Sequence, residues 1–456
     1  MYDIAIIGGG PGGYVAAIKA AQLGNKVVLI EKDKVGGVCL NYGCIPTKTL
    51  LHSAKLYDNM LNSYEYGILI EDKSSIKIDW SKMLERKDSV VNKLVTGVEG
   101  LLKKNGVDVI YGVAKLVTRS SLVVDSKKFE YKNLVIATGS SVMNPEIKGL
   151  KESIESGYSI DSTGAISLDK VPKSMIILGG GVISIEFATL YNNLGCEVTI
   201  IQRSSELLKF LDKDVRNLIQ RHLSKKGVNI ITDTSITEIS NGRVKFENKG
   251  KAKEVTAEKI LVSLGRKPNI SGFEELNLKT DKNGVIVDDH MQTNIDHIYA
   301  IGDVNGKYML AHVASAEGIV AINHIMGESE KINYNKIPSC IYSSPEVGVV
   351  GLTEEEAIEK GYDVIVSKFP LSANGKALAE GESTGFVKLV ADKTYGEVLG
   401  VHIVASHATD MIAEAVATME LEGTIHDLAK TVHPHPTLSE IVMEAAHGAI
   451  DKPIHM

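Results

Sequence analysis

The chain has 456 residues, enough for about three domains with separate hydrophobic cores. Hydrophobic residues make up 44% of it and charged residues 23%, and no apolar run reaches the roughly 18 residues that cross a bilayer, so the composition predicts a soluble protein without membrane contact. The formal net charge of -7 argues against a nucleic-acid partner, because nucleic-acid binding requires a basic surface.

A glycine turn between a strand and a helix is predicted at the N-terminus, where an apolar strand leads into Gly8-Gly-Gly10-Pro-Gly-Gly13. Gly8 permits the tight turn, Gly10 lets backbone amides approach a pyrophosphate, and Gly13 allows the helix to pack closely on the strand. The next strand ends at Glu31, 21 residues after Gly10, where a carboxylate can accept a hydrogen bond from a ribose hydroxyl. This order of elements predicts dinucleotide binding.

Two of only four cysteines, Cys39 and Cys44, lie five positions apart shortly after this unit. No metal site is predicted, because His52 is the single further candidate ligand nearby. A structural disulfide is the alternative, but four cysteines without a signal peptide are typical of a cytoplasmic chain, where static disulfides are uncommon. We therefore expect a redox-active disulfide beside a bound cofactor. Cys196 and Cys340 are expected to be ordinary buried thiols.

The glycine pattern recurs in Gly179-Gly-Gly181-Val-Ile-Ser184, again between a strand and a helix. Two such units predict two bound nucleotides. Ser184 stands in place of the third glycine, and this small residue is expected to permit close packing less comfortably than glycine does.

The acidic residue that ends the first unit has no counterpart in the second. The position 21 residues after Gly181 is Gln202, which is followed by Arg203 and then by Lys209. No carboxylate is present to hold a ribose 2′-hydroxyl, and two cations are placed to pair with a 2′-phosphate, so the pattern favours NADP(H) over NAD(H). The alternative is that Arg203 and Lys209 are solvated surface charges.

Three further strand patterns follow the nucleotide units. Residues 134–140 and 260–266 each run into a glycine turn and are typical of crossovers that return from small antiparallel sheets. Residues 298–303 end on an acid, which in a flavin enzyme can hold the ribityl chain. From about Ile337, strand segments followed by long helical patterns predict a separate α+β domain.

The run His433-Pro-His435-Pro-Thr-Leu-Ser-Glu440 is a second chemical constellation. Its prolines hold the imidazole of His435 on a stiff turn, and Glu440 is close enough to orient the ring and select its tautomer. The alternative is that the segment from Thr437 to Glu440 is a helix capping box. A dithiol needs a base, because the thiolate is the reactive form and free cysteine has a pKa of about 8.5. The cysteine and histidine segments therefore explain each other.

Together these motifs resemble the dihydrolipoamide dehydrogenase family of FAD-containing disulfide reductases, and the likeness runs along the whole chain in order. The resemblance implies an α/β fold with two Rossmann-like FAD/NAD(P)-binding domains and a C-terminal α+β dimerisation domain. The implied regions are an FAD domain at 1–145, an NAD(P) domain at 146–267, a central domain completing the FAD site at 268–335 and a dimer-interface domain at 336–456. A homodimer follows from it.

The resemblance also implies a role for each matching residue. Cys39 is implied to be the interchange thiol that attacks the lipoyl disulfide, and Cys44 the thiolate that contacts the flavin. His435 is implied to act as the acid/base in the opposing subunit's site, with Glu440 orienting it. The implied cofactor contacts are Gly8, Gly10, Gly13, Glu31, Gly112, Thr138, Gly139, Ser140, Asp303 and Ala311 for FAD, Lys48 and Glu186 as a pair near the flavin N5, and Gly179, Gly181, Gln202, Arg203, Lys209 and Gly265 for NAD or NADP.

The implied reaction is a relay in which a dihydrolipoyl group reduces the cysteine pair, and electrons then pass through FAD to NAD(P)+. The lipoyl group is expected to arrive on another protein, from a 2-oxoacid dehydrogenase, an acetoin system or the glycine cleavage system. This family usually has Glu where Gln202 stands, whereas its NADPH-using relative glutathione reductase has cations where Arg203 and Lys209 stand. The alternatives are an NADPH-dependent disulfide reductase similar to glutathione reductase, and a non-catalytic flavoprotein subunit, which would need neither the cysteines nor the histidine.

Overall fold

The computed structural model describes residues 1–456, and its first region joins a parallel sheet to an antiparallel one. The elements of this region are β1 (Tyr2–Ile7), α1 (Pro11–Gln22), β2 (Val27–Glu31), α2 (Gly37–Asn41), α3 (Cys44–Leu61), α4 (Trp80–Lys104), β3 (Asp108–Tyr111), β4 (Lys115–Thr118), β5 (Ser121–Val124), β6 (Lys127–Ile136) and β7 (Ser140–Val142). Strand β6 pairs antiparallel with β5 at its start and parallel with β1 at its end. The loops after β1 and β6 therefore meet at the carboxyl edge of the parallel strands, where ligands bind in such sheets.

The second region repeats this plan. Its elements are α5 (Leu150–Glu155), β8 (Ser159–Ile160), α6 (Ser162–Ala165), β9 (Ser174–Leu178), α7 (Val182–Asn193), β10 (Glu197–Ile201), α8 (Lys213–Lys225), β11 (Asn229–Ile231), β12 (Thr234–Ser240), β13 (Arg243–Asn248), β14 (Lys251–Thr256), β15 (Lys259–Val262) and β16 (Arg266–Pro268). The parallel sheet has the order β11-β10-β9-β15-β8, and β12, β13 and β14 form an antiparallel sheet. Strands β6 and β15 both return from antiparallel strands, which confirms the predicted crossovers.

Residues 268–335 contribute β17 (Ile298–Ala300) and α9 (Ala311–Ile325). Strand β17 pairs parallel with β6 and so becomes part of the first region's sheet. Helix α9 lies very close to α1, because a Cβ atom on Gly318 would be 2.8 Å from the carbonyl oxygen of Gly12. Asp303 follows β17 and therefore reaches the same sheet edge as the first glycine turn.

The C-terminal region is the predicted α+β domain. Its elements are β18 (Ser339–Ile341), β19 (Glu346–Gly351), α10 (Glu354–Glu359), β20 (Val364–Pro370), α11 (Gly375–Ala379), β21 (Phe386–Asp392), β22 (Val398–Ala405), α12 (Ala408–Glu420), α13 (Ile425–Lys430) and α14 (Glu440–Ile450). The antiparallel sheet has the order β18-β19-β22-β21-β20, and β21 and β22 are buried along their whole length. Helices α12, α13 and α14 share one hydrophobic core with it. None of the helices is both long and apolar enough to cross a membrane.

A buried ion cluster joins the C-terminal region to the second region. The Nζ atom of Lys388 in β21 donates to three carboxylates, at 3.1 Å to Asp212, 3.0 Å to Asp214 and 2.6 Å to Glu354. Asp212 is fully buried and caps α8 by accepting from the amide of Asp214. A buried cation needs such partners, because an unpaired one is strongly destabilising. The cluster thus fixes the loop before α8, which carries Lys209, against the C-terminal region.

Candidate redox and nucleotide site

One cavity of about 2790 Å³ brings most of the predicted site residues together. It is open to both glycine turns and is closed on one side by the C-terminal region. The predicted residues that line it are Gly8, Gly10, Glu31, Cys39, Cys44, Lys48, Gly112, Thr138, Gly139, Ser140, Gly179, Gly181, Glu186, Gln202, Arg203, Lys209, Gly265, Asp303 and Ala311. Gly13 lies beneath the first turn instead, and His435 and Glu440 lie outside this cavity.

The first glycine turn leaves no space for side chains at two of its positions. Gly8 has a φ angle of +106°, and a Cβ atom there would lie 2.2 Å from the carbonyl oxygen of Ala137. A Cβ atom on Gly13 would lie only 1.8 Å from the carbonyl oxygen of Gly8. Helix α1 begins directly after Gly10, so its first backbone amides point towards the cavity as a cradle for a pyrophosphate.

Glu31 is almost completely buried at the end of β2, with 7% of its surface exposed. One carboxylate oxygen accepts from the amide of Gly9 at 2.6 Å, and the other accepts from the amide of Asp33 at 2.8 Å. The carboxylate therefore stabilises the glycine turn itself while it lines the cavity. Its predicted bond to a ribose hydroxyl would use the remaining acceptor positions of these oxygens.

The two cysteines of the predicted redox pair are free and partly buried on adjoining helices. Cys39 lies in α2, and Cys44 is the first residue of α3, where the helix dipole favours a thiolate. A hydrogen bond from the Cys39 thiol, together with the charge of Lys48, lowers the pKa of Cys44 to about 7. The same bond and burial raise the pKa of Cys39. Cys44 is therefore the first of the two to ionise.

Lys48 and Glu186 form a two-pronged ion pair beside the cysteines. The Nζ atom of Lys48 donates to both carboxylate oxygens of Glu186, at 2.8 and 2.9 Å. Tyr342 of the C-terminal region completes the arrangement, since its amide donates to Glu186 at 3.1 Å and its ring lies 4.7 Å from Lys48 Nζ. Sequence reasoning missed Tyr342, because no local motif marks it.

Cys340 lies two residues before that tyrosine and lines the same cavity. It is only partly buried, so the prediction of a buried thiol is wrong for this residue, whereas Cys196 is 2% exposed as predicted. Burial nevertheless raises the pKa of Cys340 to about 11, which leaves it a thiol at neutral pH. The prediction failed because the side chain faces the gap between two regions, which no local pattern records.

Asp303 belongs to a hydrogen-bond network that sequence reasoning identified only in part. The hydroxyl of Ser140 donates to the carboxylate of Asp303, and it accepts from the guanidinium of Arg266 at 2.7 Å. Asn269 binds Thr138 in both directions, at 2.7 and 3.0 Å. Arg266 and Asn269 both line the cavity. The only sequence signal for Arg266 is that it directly follows Gly265, a predicted nucleotide contact.

The second glycine turn has the same backbone geometry as the first. Gly179 has a φ angle of +112°, and a Cβ atom there would lie 2.3 Å from the carbonyl oxygen of Ser263. The third position differs, because Ser184 is fully buried and its hydroxyl has no hydrogen-bond partner. A buried hydroxyl without a partner destabilises a fold. The serine side chain therefore fits the available space, but its hydroxyl group is left without a hydrogen bond.

The strand that follows this turn ends in an amide with two exposed cations after it. Gln202 donates from its side chain to the Ser204 hydroxyl at 2.7 Å and accepts from the amide of Arg203 at 3.1 Å. Arg203 and Lys209 are exposed and line the cavity. The intervening carboxylate of Glu206 pairs elsewhere, 3.5 Å from Arg216. Neither cation is neutralised within the chain.

The His435 side chain is 78% exposed, and its Nδ1 atom lies 2.9 Å from a carboxylate oxygen of Glu440. The other oxygen of Glu440 accepts from the amide of Thr437 at 2.8 Å, as in a capping box. The hydroxyl of Thr437 donates to the carbonyl of Pro434, so the second half of the box is missing. Burial opposes ionisation of Glu440, but these bonds hold its pKa below the usual range. Glu440 therefore combines the two roles considered from sequence: it orients the His435 ring, and it accepts from a backbone amide as in a capping box.

No three His, Cys, Asp or Glu side chains converge as metal ligands anywhere in the chain. The cavity brings together two thiols, one ion pair and two backbone turns, and outside it an exposed histidine is bound to a partly buried glutamate.

Comparison with known proteins matches two family descriptions to the chain. Pyridine nucleotide-disulphide oxidoreductase matches residues 2–318, and the dimerisation domain of the same description matches residues 337–446. The first match covers both glycine turns and the pair of Cys39 and Cys44. The second covers the α+β region and ends within α14.

Several curated relatives match over nearly the whole chain. Dihydrolipoyl dehydrogenase of Bacillus subtilis is 44% identical over 466 residues, covering 100% of this chain and 97% of the relative. The protein of the same name from Geobacillus stearothermophilus is 43% identical over 465 residues, with 100% and 97% coverage. Among solved structures, the HOCl-induced flavoprotein disulfide reductase RclA from Escherichia coli matches with a TM-score of 0.87 at 28% identity, covering 98% of this chain and 99% of that one.

Proposed function

The chain belongs to the pyridine nucleotide-disulphide oxidoreductase family, and we propose that it works as a dihydrolipoyl dehydrogenase, oxidising protein-bound dihydrolipoyl groups to the lipoyl disulfide with NAD(P)+ as acceptor. The observation that carries this proposal is the thiol pair of Cys39 and Cys44 in one cavity with two nucleotide turns. The names of its full-length relatives support the same reaction.

FAD is the cofactor that the first turn and its surroundings fit. Positions 8 and 13 exclude side chains, so a pyrophosphate can approach the backbone amides at the start of α1. Asp303, held by Ser140, lies at the same sheet edge, where it can bind a ribityl chain. When bound, FAD carries the electron pair between the reduced cysteines and NAD(P)+.

Thiol exchange at Cys39 is the step that this chain's residues perform. One dihydrolipoyl thiol loses its proton to His435 Nε2 and attacks the Cys39 sulfur, which breaks the Cys39–Cys44 disulfide and releases Cys44 as a thiolate. The second lipoyl thiol then attacks the lipoyl sulfur joined to Cys39, which closes the lipoyl disulfide and breaks the mixed disulfide, and its proton passes to the released Cys39 thiolate. Lys48 stabilises the Cys44 thiolate, consistent with the lowered pKa of that residue.

The histidine of this reaction is supplied by a second subunit in our proposal. The dimerisation domain at residues 337–446 supports a homodimer. His435 and Glu440 lie outside the cavity of their own chain, and the His435 ring is exposed, as a residue that serves a neighbouring subunit must be. Glu440 fixes the ring through Nδ1, which leaves Nε2 free for the substrate thiol.

NADP+ is the acceptor that we propose for the second turn. Gln202 lacks the charge that would repel a 2′-phosphate, and Arg203 and Lys209 are exposed cations at the cavity with no carboxylate neutralising them. The ion cluster around Lys388 holds the Lys209 loop in place. A charge-assisted bond to a phosphate is about twice as strong as a neutral one, so these contacts favour NADP+.

The proposed physiological substrate is a lipoyl group carried by another protein, of a 2-oxoacid dehydrogenase, acetoin or glycine cleavage system. The names of the full-length relatives, dihydrolipoyl dehydrogenase, support a lipoyl substrate for this chain. The four cysteines, two of them placed as a redox pair, suit a cytoplasmic enzyme.

The proposed reaction is tested by measuring the steady-state rate at which the purified holoenzyme oxidises dihydrolipoamide with NAD+ or NADP+. Turnover is expected with both, with kcat/KM higher for NADP+. Cys39→Ser should lower turnover by at least about a thousandfold, because the exchange thiol is lost, whereas the matched Cys340→Ser control should retain it. No turnover with either acceptor, together with rapid reduction of glutathione disulfide by NADPH, would replace the proposal by the disulfide-reductase alternative.

A further inference from the structure

The first histidine of the His-Pro-His-Pro run, His433, is held differently from the second, His435. The side chain of His433 is 5% exposed, against 78% for His435. Its Nδ1 atom lies 2.9 Å from the carbonyl oxygen of Thr431, and its Nε2 atom lies 2.7 Å from a carboxylate oxygen of Glu414 in α12. Both ring nitrogens of His433 therefore have partners, whereas His435 uses one nitrogen.

Both partners of His433 are hydrogen-bond acceptors. A backbone carbonyl cannot donate, so Nδ1 must carry a proton, and an ionised carboxylate cannot donate, so Nε2 must carry one as well. The geometry thus favours the imidazolium form paired with the Glu414 carboxylate. The charged groups facing the ring, Glu414 from α12 and Glu440 from α14, are both acidic and favour that form. The bond to Glu414 raises the pKa of His433, in the same direction.

The segment that presents His435 has few other attachments. Val432 is 91% exposed, so it contributes no packing on the N-terminal side. On the C-terminal side, the amide of Thr437 donates to Glu440 and its carbonyl accepts from the side chain of Asn374. The pair of His433 and Glu414 is therefore the anchor before His435, as Glu440 and Asn374 are the anchors after it.

We propose that His433 is a positioning residue whose doubly protonated ring, bound to Glu414 and to the Thr431 carbonyl, holds His435 in place for its work on the substrate thiol. This inference rests on the proposed function, because it assigns His433 a role through His435. It also predicts that the positioning weakens when His433 loses its second proton.

Glu414→Gln is the matched variant for testing this inference. A glutamine amide can donate to Nε2 of a neutral ring, so the bond is kept without the second proton. His433→Gln removes the bridge, because one amide side chain cannot span both partners. We expect kcat for dihydrolipoamide to fall about tenfold in His433→Gln, with ferricyanide reduction by NAD(P)H unchanged because that reaction does not use His435.

The pH dependence separates positioning from simple structural support. The pKa of His433 is raised on folding, so its stabilising contribution is full below the ordinary value of about 6.5 and is lost as pH rises through the folded value. The wild-type chain should therefore lose melting temperature and kcat relative to Glu414→Gln as pH rises above about 6.5.

The melting measurement needs no turnover, so it tests the ionic pair even if dihydrolipoamide is not the substrate. Melting curves of wild type and Glu414→Gln that stay parallel across this pH range would overturn the doubly protonated ring. A His433→Gln variant with wild-type kcat for dihydrolipoamide, or with a parallel loss of ferricyanide reduction, would overturn the positioning role. A failure of dihydrolipoamide turnover in the wild type itself would count against the proposed function alone.

Discussion

The two glycine turns share a backbone but differ in the residues that complete them. Both begin with a glycine at positive φ, packed against the carbonyl of a neighbouring strand end. In the first turn, the third glycine, Gly13, lies against the carbonyl oxygen of Gly8, and the unit ends at the buried carboxylate of Glu31. In the second, a buried serine fills the third position and an amide, Gln202, closes the unit beside exposed cations.

Comparing the turns separates the positions that are fixed by space from those that are fixed by the ligand's chemistry. The first position of each turn tolerates no side chain, because the backbones touch there. The third position tolerates no side chain in the first turn, at Gly13, whereas in the second turn it holds the side chain of Ser184. The closing residue meets the turn through its side chain, as Glu31 does at the amide of Gly9, so its charge can differ between the two units. Four substitutions, taken in order of decreasing effect, test this division.

Gly13→Ala should break the first turn. Its Cβ atom would lie 1.8 Å from the Gly8 carbonyl oxygen, so α1 must move away from the strand and the pyrophosphate cradle is lost. We expect purified protein with little bound flavin and at least about a hundredfold less activity, measured by flavin absorbance and turnover. Gly97→Ala in α4, where a Cβ atom meets nothing within 4 Å, is the control. Full flavin content in Gly13→Ala would contradict the steric argument.

Arg203→Ala should act on one coenzyme only. A hydrogen bond to a charged group contributes about 1.5–3 kcal/mol, so kcat/KM for NADP+ should fall roughly 10- to 100-fold, and Lys209→Ala should have a similar or smaller effect. Values for NAD+ should stay near wild type. Arg221→Ala, which removes an exposed arginine of α8 bonded only within its own helix, is the matched control. Equal losses for NAD+ and NADP+ would make Arg203 a general contact instead.

Gln202→Glu should make the second turn resemble the first at its closing residue. The new carboxylate can accept from a ribose 2′-hydroxyl and repels a 2′-phosphate, so we expect about a tenfold loss in kcat/KM for NADP+ and a gain for NAD+. The matched substitution Gln202→Ala should lower both modestly. An unchanged coenzyme ratio in Gln202→Glu would show that this residue does not face the 2′ position.

Ser184→Ala is the smallest change and the counterpart of Gly13→Ala. The Cβ atom already fits, and the substitution removes a buried hydroxyl without a partner, so we expect stabilisation by about 1 kcal/mol and unchanged activity. Thermal unfolding of the holoenzyme measures it. An alanine at the third position of the motif would thus disrupt the first turn and stabilise the second. A destabilised Ser184→Ala would instead indicate that the hydroxyl binds an ordered water or the nucleotide.

Local patterns predicted much of this molecule. Both turns, the crossovers of β6 and β15 and the α+β character of the C-terminal region lie where the sequence places them, because apolar runs and glycine positions report backbone geometry directly. The order of the motifs also indicated the family. The roles of the individual cysteines and of His435 stay predictions, which the experiments above address.

The contacts that surround the site were not predictable in this way. Arg266 meets Ser140 across 126 positions of sequence, and Tyr342 meets Glu186 across 156. Cys340 reaches the cavity wall only because β18 packs there, and His433, in the loop before α14, meets Glu414 on α12. None of these residues lies in a repeating pattern or at a characteristic spacing from its partner.

The sequence alone therefore determined which backbone turns, thiols and imidazoles the protein has, since φ angles, strand ends and residue chemistry are local properties. Only the tertiary structure decided which thiol ionises first, which histidine is buried against a carboxylate and which faces outward, and which cations remain unpaired at the cavity. The physical reason is that ionisation and pairing depend on burial and on charges a few ångströms away, and those neighbours come from distant parts of the chain.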